Sequence, residues 1–534
     1  MSLHDSPDSP PFNTLPAMVA AHARSQPGAL ALVVGEQRLS YAALDALADR
    51  VAASMQRDGL QPREVVALCA SSCVAYVAVF LGALRAGLAL APLAPGSTPA
   101  QLLEMALDAG ARRFFVDAEV LAALTAGGAL PPESLPLTRL DAADGHAPLS
   151  PWLIDTHAAT HAATHADTHP DSPVRPTPVV IDPAWPFNLI YSSGTTGTPK
   201  GIVQSHAMRW SHIQRAALSG YDTTTITLIA TPLYSNTTLV ALIPTLACGG
   251  CLILMPKFDA LAYLQIAQAE RVTHTMLVPV QYQRLMARPE FDQFDLSSYR
   301  MKFCTSAPFH AALKADVLAR WPGGLVEYYG MTEGGGTCIL QAHLHPTKLH
   351  TVGQPADGHT VLLIDEDGHE LRTVGDSGEV VGRSAGMMTG YHNQPAKTAE
   401  AEWFDAQGQR YIRTGDVGRF DADGFLTLHD RRKDMVISGG FNIYPSDLEA
   451  VLRSHPGVAD AAVVGVPSAE WGETPVAFVV LRDGFDMDAE ALRQWFNQQV
   501  GKTQRLSGLR WLAELPRSAI GKVLKRELRQ AWGA

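Results

Sequence analysis

Short apolar segments alternate with longer amphipathic segments over the first two thirds of the chain, and this alternation limits the fold more than any other feature. One helix is expected to begin after Ser40, a favourable N-cap residue. It carries Leu44, Val51 and Met55 on one face. Strands separated by helices form parallel sheets that are covered on both faces, so we predict an α/β fold. The predicted strands are residues 65–70, 88–93, 114–116, 227–230, 252–255, 275–278, 302–304 and 325–328, and a second helix is predicted at 74–85.

The pattern changes after about residue 350. Short strands and tight turns such as Asp365-Glu-Asp-Gly368 and Asp421-Ala-Asp-Gly424 predict a β-rich subdomain. The C-terminal segment predicts a small α+β unit. Its helices are expected at 446–454 and 488–500, and its paired strands at 461–466 and 476–481. A chain of 534 residues is too long for one ordinary core, so several structural units are expected.

Composition and charge exclude several classes of protein. A hydrophobic content of 46% with 18% charged residues is typical of a soluble globular enzyme. The net charge of −11, without a basic stripe, argues against a nucleic-acid partner. Gly82, Arg85 and Pro92 interrupt the longest apolar run, so we expect a buried helix and strand there rather than an integral membrane segment. The first residues lack the basic flank and apolar core of a signal peptide, and six cysteines give no disulfide framework, so the expected location is a reducing cytoplasm.

Two cysteines form an isolated C-x-x-C pair, a spacing that occurs in redox and metal sites. No second pair and no histidine partner accompany Cys248 and Cys251, and Cys251 opens an apolar strand. We therefore interpret both as small buried residues at a helix-to-strand turn.

A tetrapeptide repeat at residues 156–169 contains histidines at every fourth position. In a helix these histidines would share one face and could hold a transition metal. Such tracts are commonly compositional, and a proline-rich stretch follows, so we interpret the segment as a polar linker and keep the metal site as an open alternative. The histidines concerned are His157, His161, His165 and His169.

A loop rich in glycine and hydroxyl groups, Tyr191-Ser-Ser-Gly-Thr-Thr-Gly-Thr-Pro-Lys-Gly201, follows the apolar segment at 187–190. Glycines let a backbone approach an anion, hydroxyls and amides donate hydrogen bonds, and Lys200 adds a positive charge. These are the properties of a polyphosphate-binding loop. Gly201 stands where a Walker loop has a magnesium-binding Ser or Thr, so the loop differs from the P-loop of kinases.

This loop resembles the phosphate loop of the acyl- and aryl-adenylate-forming ligases, which include acyl-CoA synthetases, adenylation domains of peptide synthetases and luciferases. Residues 192–201 match the family pattern [S/T]-[S/T/G]-G-[S/T]-T-G-x-P-K-G throughout. Further motifs extend the resemblance from about residue 15 to the C-terminus, apart from the stretch around 140 to 180. The resemblance implies an N-terminal domain at 15–430, built of two doubly wound mixed or parallel sheets and a β-rich subdomain, with a His-rich linker insertion at 150–178. A hinge at 431–433 and a small mobile α+β domain at 434–534 would follow.

Three of these motifs imply an ATP/AMP site. In the family motif Y-G-x-T-E, matched at 329–333, the tyrosine lies on the adenine face and the glutamate binds magnesium, so these roles fall to Tyr329 and Glu333. Thr332 would bind a phosphate or carboxyl oxygen and would share the catalytic role with Glu333. The family's T-G-D aspartate binds the ribose and corresponds to Asp416. The implied ATP/AMP-binding residues are Ser192, Ser193, Gly194, Thr195, Thr196, Gly197, Lys200, Ser306, Ala307, Tyr329, Gly330, Met331, Thr332, Asp416 and Arg431.

The C-terminal motifs imply a moving domain and a CoA site. The family's G-R-x-K-D motif is present as Asp430-Arg-Arg-Lys-Asp434, which makes Lys433 the hinge residue and puts an aspartate where the family has glycine. The terminal P-x-x-x-x-G-K motif gives Lys522 the role of a catalytic cation, whose charge offsets the repulsion as two anions meet. The implied CoA-binding residues are Ser438, Gly439, Gly440 and Trp471.

The resemblance implies an AMP-forming acyl-CoA synthetase that uses ATP, Mg²⁺ and coenzyme A. ATP and a small-molecule carboxylic acid would give an acyl-adenylate and pyrophosphate, and the CoA thiol would then displace AMP. Three alternatives stay open: transfer of the acyl group to a carrier protein, a non-catalytic nucleotide-binding regulator, and a kinase-like phosphotransferase. A homodimer is also left open.

The acid itself is predicted from the pocket residues. Amino-acid-activating members hold the substrate ammonium with an aspartate in the segment that matches 233–238, and no acidic residue lies there, so an amino acid is not expected. Three glycines after Glu333 remove side chains from one wall, and Met331 adds apolar surface. We predict a roomy hydrophobic pocket for a fatty, alicyclic or aromatic acid, formed by Tyr234, Val280, Gly334, Gly335 and Gly336.

Overall fold

The computed structural model describes residues 11–141, 149, 152–153, 175–192, 200–216, 219–431, 434–438, 441–468, 471–501, 504–518 and 521–533. The histidine repeat, and with it the question of a linker or a metal site, lies outside these residues. Across the described ranges, no helix combines the length and the apolarity that a bilayer crossing requires.

Side chains at the helix starts explain where several helices begin. Ser40 Oγ accepts a hydrogen bond from the N–H of Ala43 at 3.2 Å, and the predicted helix begins directly after it. Thr98 and Gln101 form a reciprocal capping box at another helix start. In chain order the helices are α1 (Leu15–Ser25), α2 (Tyr41–Arg57), α3 (Val74–Arg85), α4 (Pro99–Asp108), α5 (Ala118–Ala126), α6 (His206–Gln214), α7 (Asn236–Ala247), α8 (Ala260–Ala269), α9 (Pro279–Met286), α10 (Ala311–Arg320), α11 (Pro395–Glu400), α12 (Pro445–Ser454), α13 (Ala489–Gln499) and α14 (Lys525–Gly533).

The strands confirm the predicted alternation, with shifts at their ends. The fifth strand begins at Ala111 rather than at residue 114, because the polar Arg113 belongs to it and donates hydrogen bonds to Asp58 and Thr138 at 2.6 and 2.7 Å. The strands are β1 (Leu30–Val34), β2 (Gln37–Ser40), β3 (Val65–Cys69), β4 (Ala89–Pro92), β5 (Ala111–Val116), β6 (Leu137–Arg139), β7 (Pro186–Ser192), β8 (Lys200–Ser205), β9 (Ile226–Ile229), β10 (Cys251–Leu254), β11 (His274–Leu277), β12 (Met301–Cys304), β13 (Gly324–Tyr329), β14 (Cys338–Gln341), β15 (Gln354–Pro355), β16 (Thr360–Ile364), β17 (Glu370–Leu371), β18 (Ser377–Arg383), β19 (Gly390–Tyr391), β20 (Glu402–Phe404), β21 (Arg410–Phe420), β22 (Leu426–Arg431), β23 (Val436–Ser438), β24 (Phe441–Ile443), β25 (Val458–Ser468), β26 (Gly472–Leu481) and β27 (Gly508–Trp511).

Two large sheets form the N-terminal part. One has the strand order β15-β14-β13-β12-β11-β9-β10-β1-β2, and the other has the order β19-β8-β7-β4-β3-β5-β6. Their central pairs are parallel, as predicted. Local hairpins add antiparallel pairs such as β1–β2, β7–β8 and β13–β14. The result is a pair of mixed sheets, which confirms the α/β class.

The two sheets share one apolar core that contains α2 and α3. Successive residues of a strand point to opposite faces, so Val66 and Leu68 of β3 face this core while Ala67 faces α4 and α5. Gly82 lets α3 approach α2 closely, since a Cβ at that position would lie 2.4 Å from Val51 Cγ1. This packing fixes the strand ends from which the site loops emerge.

Two smaller sheets complete the fold and confirm the β-rich and α+β expectations. The third has the order β17-β16-β18-β21-β20, with β22 paired to β21. The fourth has the order β24-β23-β26-β25, with β27 paired to β26. Leu448 and Leu452 of α12 and Phe496 of α13 are buried in the core of this last sheet. The chain passes from the third sheet to the fourth after β22, where the hinge is predicted, although Lys433 itself lies outside the described residues.

Candidate active site

A cleft of about 1600 Å³ lies at the ends of the large sheets. Parallel strands end at one edge of a sheet, so loops that are distant in sequence meet there. Segments that follow β12 and β13 line it, together with parts of the third sheet and residues 517–518, 522–527 and 529 of the C-terminal unit. The predicted site residues in this lining are Lys200, Tyr234, Ser306, Gly330, Met331, Thr332, Glu333, Gly334, Gly335 and Lys522.

Glu333 is held at the cleft by hydrogen bonds from two directions. The Tyr391 hydroxyl donates to Glu333 Oε1 at 2.8 Å, and the Met388 N–H donates to the Glu333 carbonyl at 2.7 Å. Burial and the nearby carboxylate raise the pKa of Tyr391, so its hydroxyl stays protonated as a donor. Lys200 Nζ lies 4.8 Å from the centre of the Tyr391 ring, within cation–π range. Tyr391 therefore connects the end of the phosphate loop to the predicted metal ligand. Sequence analysis did not identify Tyr391, because a single Gly-Tyr pair is not a recognisable motif.

A buried polar cluster lies behind Thr332. Arg209 is fully buried and donates to Asn188 Oδ1 at 3.1 Å and to Gln204 Oε1. Gln204 Nε2 in turn donates to the Thr332 carbonyl at 2.6 Å. Burial lowers the pKa of Arg209 to about 9, so it remains a cation at neutral pH. The cluster fixes the backbone of Thr332 from inside the protein, and sequence analysis missed it because its members come from two strands and a helix.

Tyr329 and Asp416 join the first and third sheets. The Tyr329 hydroxyl donates to Asp416 Oδ2 at 2.9 Å, which brings together the residues predicted for the adenine and the ribose. Thr414 Oγ1 accepts from the Asp416 N–H at 3.0 Å and donates to the Val380 carbonyl at 2.8 Å, so the part of β21 that carries the aspartate is held against β18. Thr414 and Gly415 line the cleft beside this pair. Arg431 pairs with Asp416 across β21 and β22 at the backbone.

The loop after β12 contributes Ser306 in an unusual backbone conformation. Its φ is +83°, which is rare for a residue with a side chain and costs about 1–3 kcal/mol. The Ser306 hydroxyl lies 2.5 Å from Thr237 Oγ1 of α7, which secures the loop against that helix. Ala307 follows outside the cleft lining. Ser193, Gly194, Thr195, Thr196 and Gly197 lie outside the described residues, as do Gly439 and Gly440.

Lys522 is carried by a tight hairpin of the C-terminal unit. The Ser518 N–H donates to the Lys522 carbonyl at 2.8 Å, and the Gly521 N–H donates to the Ser518 carbonyl at 2.8 Å. Gly521 has φ +76°, and a Cβ there would lie 2.8 Å from Val280 Cγ1 of α9. The hairpin therefore rests directly on the N-terminal part, and Lys522 lines the same cleft as Glu333. Val280 packs on this hairpin and is outside the cleft lining.

The glycines after Glu333 have a structural role in packing, and Gly334 and Gly335 also line the cleft as predicted. A Cβ on Gly334 would lie 2.0 Å from the Gly386 carbonyl oxygen, and one on Gly335 would lie 2.9 Å from that of Gly382. A Cβ on Gly336 would lie 2.5 Å from a Val361 side chain, and Gly336 is outside the cleft lining. These glycines thus permit close packing of the loop on the third sheet.

The inner part of the cleft has a stacked aromatic floor. The Tyr221 and Phe303 rings lie 5.9 Å apart at 8°, and the Phe303 and Tyr328 rings lie 5.7 Å apart at 21°. Tyr234 adds a further aromatic side chain, and the remaining apolar lining includes Val240, Met276, Met301, Val326 and Ile339. An apolar ligand can be buried here.

Two other predicted residues lie away from the cleft. Trp471 is 42% exposed, and Ser438 is buried and pairs with Gly472 across β23 and β26. Cys248 and Cys251 flank the turn between α7 and β10, as predicted, but both are partly exposed rather than buried. Burial raises the pKa of both thiols, to about 11 for Cys251, which keeps them protonated.

The chain belongs to the AMP-binding enzyme family: residues 19–392 match the family profile, and residues 447–522 match that of the AMP-binding enzyme C-terminal domain. A feruloyl-CoA synthase of an Amycolatopsis species is 33% identical over 522 residues, which cover 96% of this chain and 97% of the relative. An indoleacetate–CoA ligase of Aromatoleum aromaticum is 32% identical over 522 residues, with 95% and 96% coverage. The crystal structure of ATP-bound MatB from Rhodopseudomonas palustris has a TM-score of 0.82 and 28% identity, and covers 97% of this chain and 99% of that one.

Proposed function

We propose that the protein is an ATP-dependent, AMP-forming carboxylic acid–CoA ligase. The observation that carries the proposal is the presence of Lys522, Thr332 and Glu333 at one cleft, although Lys522 belongs to the C-terminal unit. A cation on a separate unit can act in one half-reaction and withdraw before the next. The names of the two curated relatives, feruloyl-CoA synthase and indoleacetate–CoA ligase, support CoA as the acceptor.

In the first half-reaction an oxygen of the acid attacks the α-phosphorus of ATP. The bond from phosphorus to the bridging oxygen breaks, and pyrophosphate leaves with that electron pair. The Lys522 ammonium reduces the repulsion between carboxylate and phosphate, and the loop that ends at Lys200 binds the departing phosphates. Asp416 accepts hydrogen bonds from the ribose hydroxyls. Its hydrogen bond from Tyr329 fixes the ribose-binding side chain relative to the adenine-binding one.

In the second half-reaction the CoA sulfur attacks the acyl carbon, and AMP leaves with the former carboxylate oxygen. The C-terminal unit turns about Lys433, which removes Lys522 from the cleft. Ser438, Gly439 and Gly440 then border the pantetheine arm, and the exposed ring of Trp471 offers apolar surface to CoA. The enzyme needs no covalent intermediate of its own, because orientation and charge neutralisation lower the barrier.

Mg²⁺ fits the residues at the phosphate end of the cleft. The carboxylate of Glu333 is a hard oxygen ligand of the type that magnesium prefers, and it lines the cleft. Its Oε1 is oriented by Tyr391. Glu333 would hold the ion together with ATP phosphate oxygens, and the bound ion would neutralise phosphate charge.

The acid is proposed to be aromatic or alicyclic with an apolar body. The stacked floor of Tyr221, Phe303 and Tyr328 is broad enough to cover a ring system. The relatives named for feruloyl and indoleacetate substrates support this class. A short acid such as acetate would leave the floor uncovered and would lose the free energy of its burial.

The test is a panel of aromatic, alicyclic and fatty acids supplied with ATP, Mg²⁺ and CoA. AMP, pyrophosphate and the acyl-CoA product are measured by chromatography, and hydroxylamine without CoA traps the adenylate as a hydroxamate. We expect stoichiometric AMP and thioester from at least one ring-containing acid. ADP as product would indicate a phosphotransferase, and hydroxamate without CoA consumption would indicate another acceptor. Absence of AMP across the whole panel would refute the proposal.

A further inference from the structure

An arginine, Arg215, lies in the inner part of the cleft. Arg215 follows α6 directly and lines the cleft beside the aromatic floor. Its Nε donates to the Ser211 carbonyl at 3.1 Å, and its Nη1 lies 2.8 Å from His359 Nε2. Among the residues that the structure describes, no Asp or Glu forms an ion pair with it. Burial lowers the pKa of this guanidinium, as expected for a cation that is partly desolvated without a counter-charge.

The hydrogen-bond partners of His359 leave one N–H donor unsatisfied. The Thr337 N–H points at His359 Nδ1 at 2.9 Å, and the Arg215 Nη1 points at the other ring nitrogen. Burial and the charge of Arg215 lower the pKa of His359 to about 4, so the ring is neutral at pH 7. A neutral imidazole has one acceptor nitrogen and one N–H group, so it accepts from only one of these two donors and its own N–H faces the other. An acceptor atom supplied by a ligand beside this pair would satisfy an N–H that otherwise has no acceptor.

A second histidine extends the same wall. His212 lies one turn before Arg215 on α6 and also lines the cleft. Its Nδ1 is buried without a hydrogen-bond partner among the described residues. Burial, together with Arg209 and Arg215, lowers the pKa of His212 well below its usual range, so this ring is neutral as well. Arg215 therefore supplies the positive charge among these three side chains, since both histidines are neutral.

We propose that Arg215, His359 and His212 form a subsite that binds a second carboxylate of the acid, at the end remote from the carboxyl that is activated. The proposal rests on the ligase function proposed above and names its substrate class, a hydrophobic dicarboxylic acid. The stacked rings of Tyr221 and Tyr328, with Phe303 between them, cover the apolar middle of such a molecule. The distal carboxylate accepts hydrogen bonds from the guanidinium and supplies the missing counter-charge.

The subsite and the groups proposed for adenylation come from different elements. Thr332 and Glu333 belong to the loop after β13, and Lys522 belongs to the C-terminal hairpin. Arg215 follows α6 directly, and His359 precedes β16. All five line the same cleft of about 1600 Å³, a volume that can hold a molecule with one carboxyl group at each end.

The test compares matched acids on wild-type and variant enzymes. The probes are 4-carboxyphenyl and 4-methylphenyl derivatives of acetic, propanoic and butanoic acid, and kcat/KM is measured from AMP and thioester formation. For at least one chain length we expect the wild-type kcat/KM for the carboxyl probe to exceed that for the methyl probe by about 10- to 100-fold. This ratio corresponds to the free energy of one charge-assisted hydrogen bond. Arg215→Met should remove this preference by lowering kcat/KM much more for the carboxylate probe than for the methyl probe. Arg215→Lys should retain part of the preference.

Arg372→Met is the matched control, because Arg372 is exposed and pairs with Glu370 on the third sheet. This substitution should leave the ratio between the two probes unchanged. The inference is overturned if the wild type never prefers the carboxylate, or if Arg215→Met lowers kcat/KM equally for both members of a pair. AMP formation from methyl probes alone would overturn only this inference. Absence of AMP from every probe and from the acid panel would refute the ligase function and this subsite together.

Discussion

Substitution of Gly521 by alanine tests whether the Lys522 hairpin must rest on α9 for adenylation. In the structure a Cβ at this position would lie 2.8 Å from Val280 Cγ1, closer than real Cβ contacts come. The hairpin is otherwise held within its own unit, since Arg517 Nη1 donates to the Gly521 carbonyl at 2.7 Å. Gly521→Ala should therefore leave the hairpin formed and disfavour its docking.

The size of the effect follows from two separate costs. Overpacking of one methyl group typically costs about 1–3 kcal/mol, and this cost arises only when the hairpin is docked. An alanine in the left-handed backbone conformation, at φ +76°, costs about 1 kcal/mol more than glycine. This cost is the same in the docked and undocked states, so it lowers the stability of the hairpin and leaves the free energy of docking unchanged. We expect the first half-reaction to slow by about 5- to 150-fold.

Val280→Ala supplies the compensating change and the control. It removes the methyl groups that the new Cβ would meet, so the double variant should return to within about threefold of Val280→Ala alone. ATP–pyrophosphate exchange measures the first half-reaction, and thioester formation from a synthetic acyl-adenylate measures the second, which should be unchanged. If Gly521→Ala catalysed ATP–pyrophosphate exchange at the wild-type rate, or if the double variant did not recover the rate of Val280→Ala, the hairpin would not need to dock on α9. A changed acid preference in Val280→Ala would instead support the original prediction that Val280 contacts the acid.

Three further predictions follow from the contacts around the site. Lys522→Ala should lower ATP–pyrophosphate exchange by about 10²–10³-fold and spare thioester formation from the synthetic adenylate, and an equal loss in both half-reactions would contradict its assignment. Tyr391→Phe removes the 2.8 Å hydrogen bond to Glu333 but keeps the ring under Lys200, so the half-saturating Mg²⁺ concentration should rise by about tenfold; an unchanged Mg²⁺ titration would show that this bond does not orient the carboxylate. Lys314→Met leaves the buried Glu327 without its cation and should cost about 3–5 kcal/mol of stability, seen as a lower apparent Tm, whereas Lys314→Met with Glu327→Leu should recover most of it. If the double variant were no more stable than the single one, the unpaired charge would not be the cause.

The bounds of some helices and strands follow from the local sequence, and those of others do not. The helix 74–85 was predicted with its observed bounds, because an apolar run ended by Arg85 and Gly87 leaves little choice. The strand at 111–116 was predicted too short, because Arg113 is polar and its partners Asp58 and Thr138 are distant in sequence. The local hydrophobic pattern predicts the bounds of an element correctly where all its residues are buried. It predicts them wrongly where a polar side chain within the element is hydrogen-bonded by residues distant in sequence.

The same distinction holds for the site. Thr332, Glu333 and Lys522 were predicted because they stand in motifs of the family that the chain resembles. All three line one cleft in the structure, and the role of each in catalysis stays a prediction. Tyr391 and Gln204 were missed, since each acts through one hydrogen bond to a residue of another motif.

The amino-acid sequence by itself determined the alternating α/β pattern and the adenylate-forming motifs. Only the tertiary structure decided that the glycines after Glu333 serve close packing and that Val280 supports the Lys522 hairpin. It alone brought Arg215 beside His359 in the inner cleft. The physical reason is that periodicity and spacing are properties of neighbours along the chain, whereas counter-charges, shared acceptors and van der Waals contacts depend on distances through space.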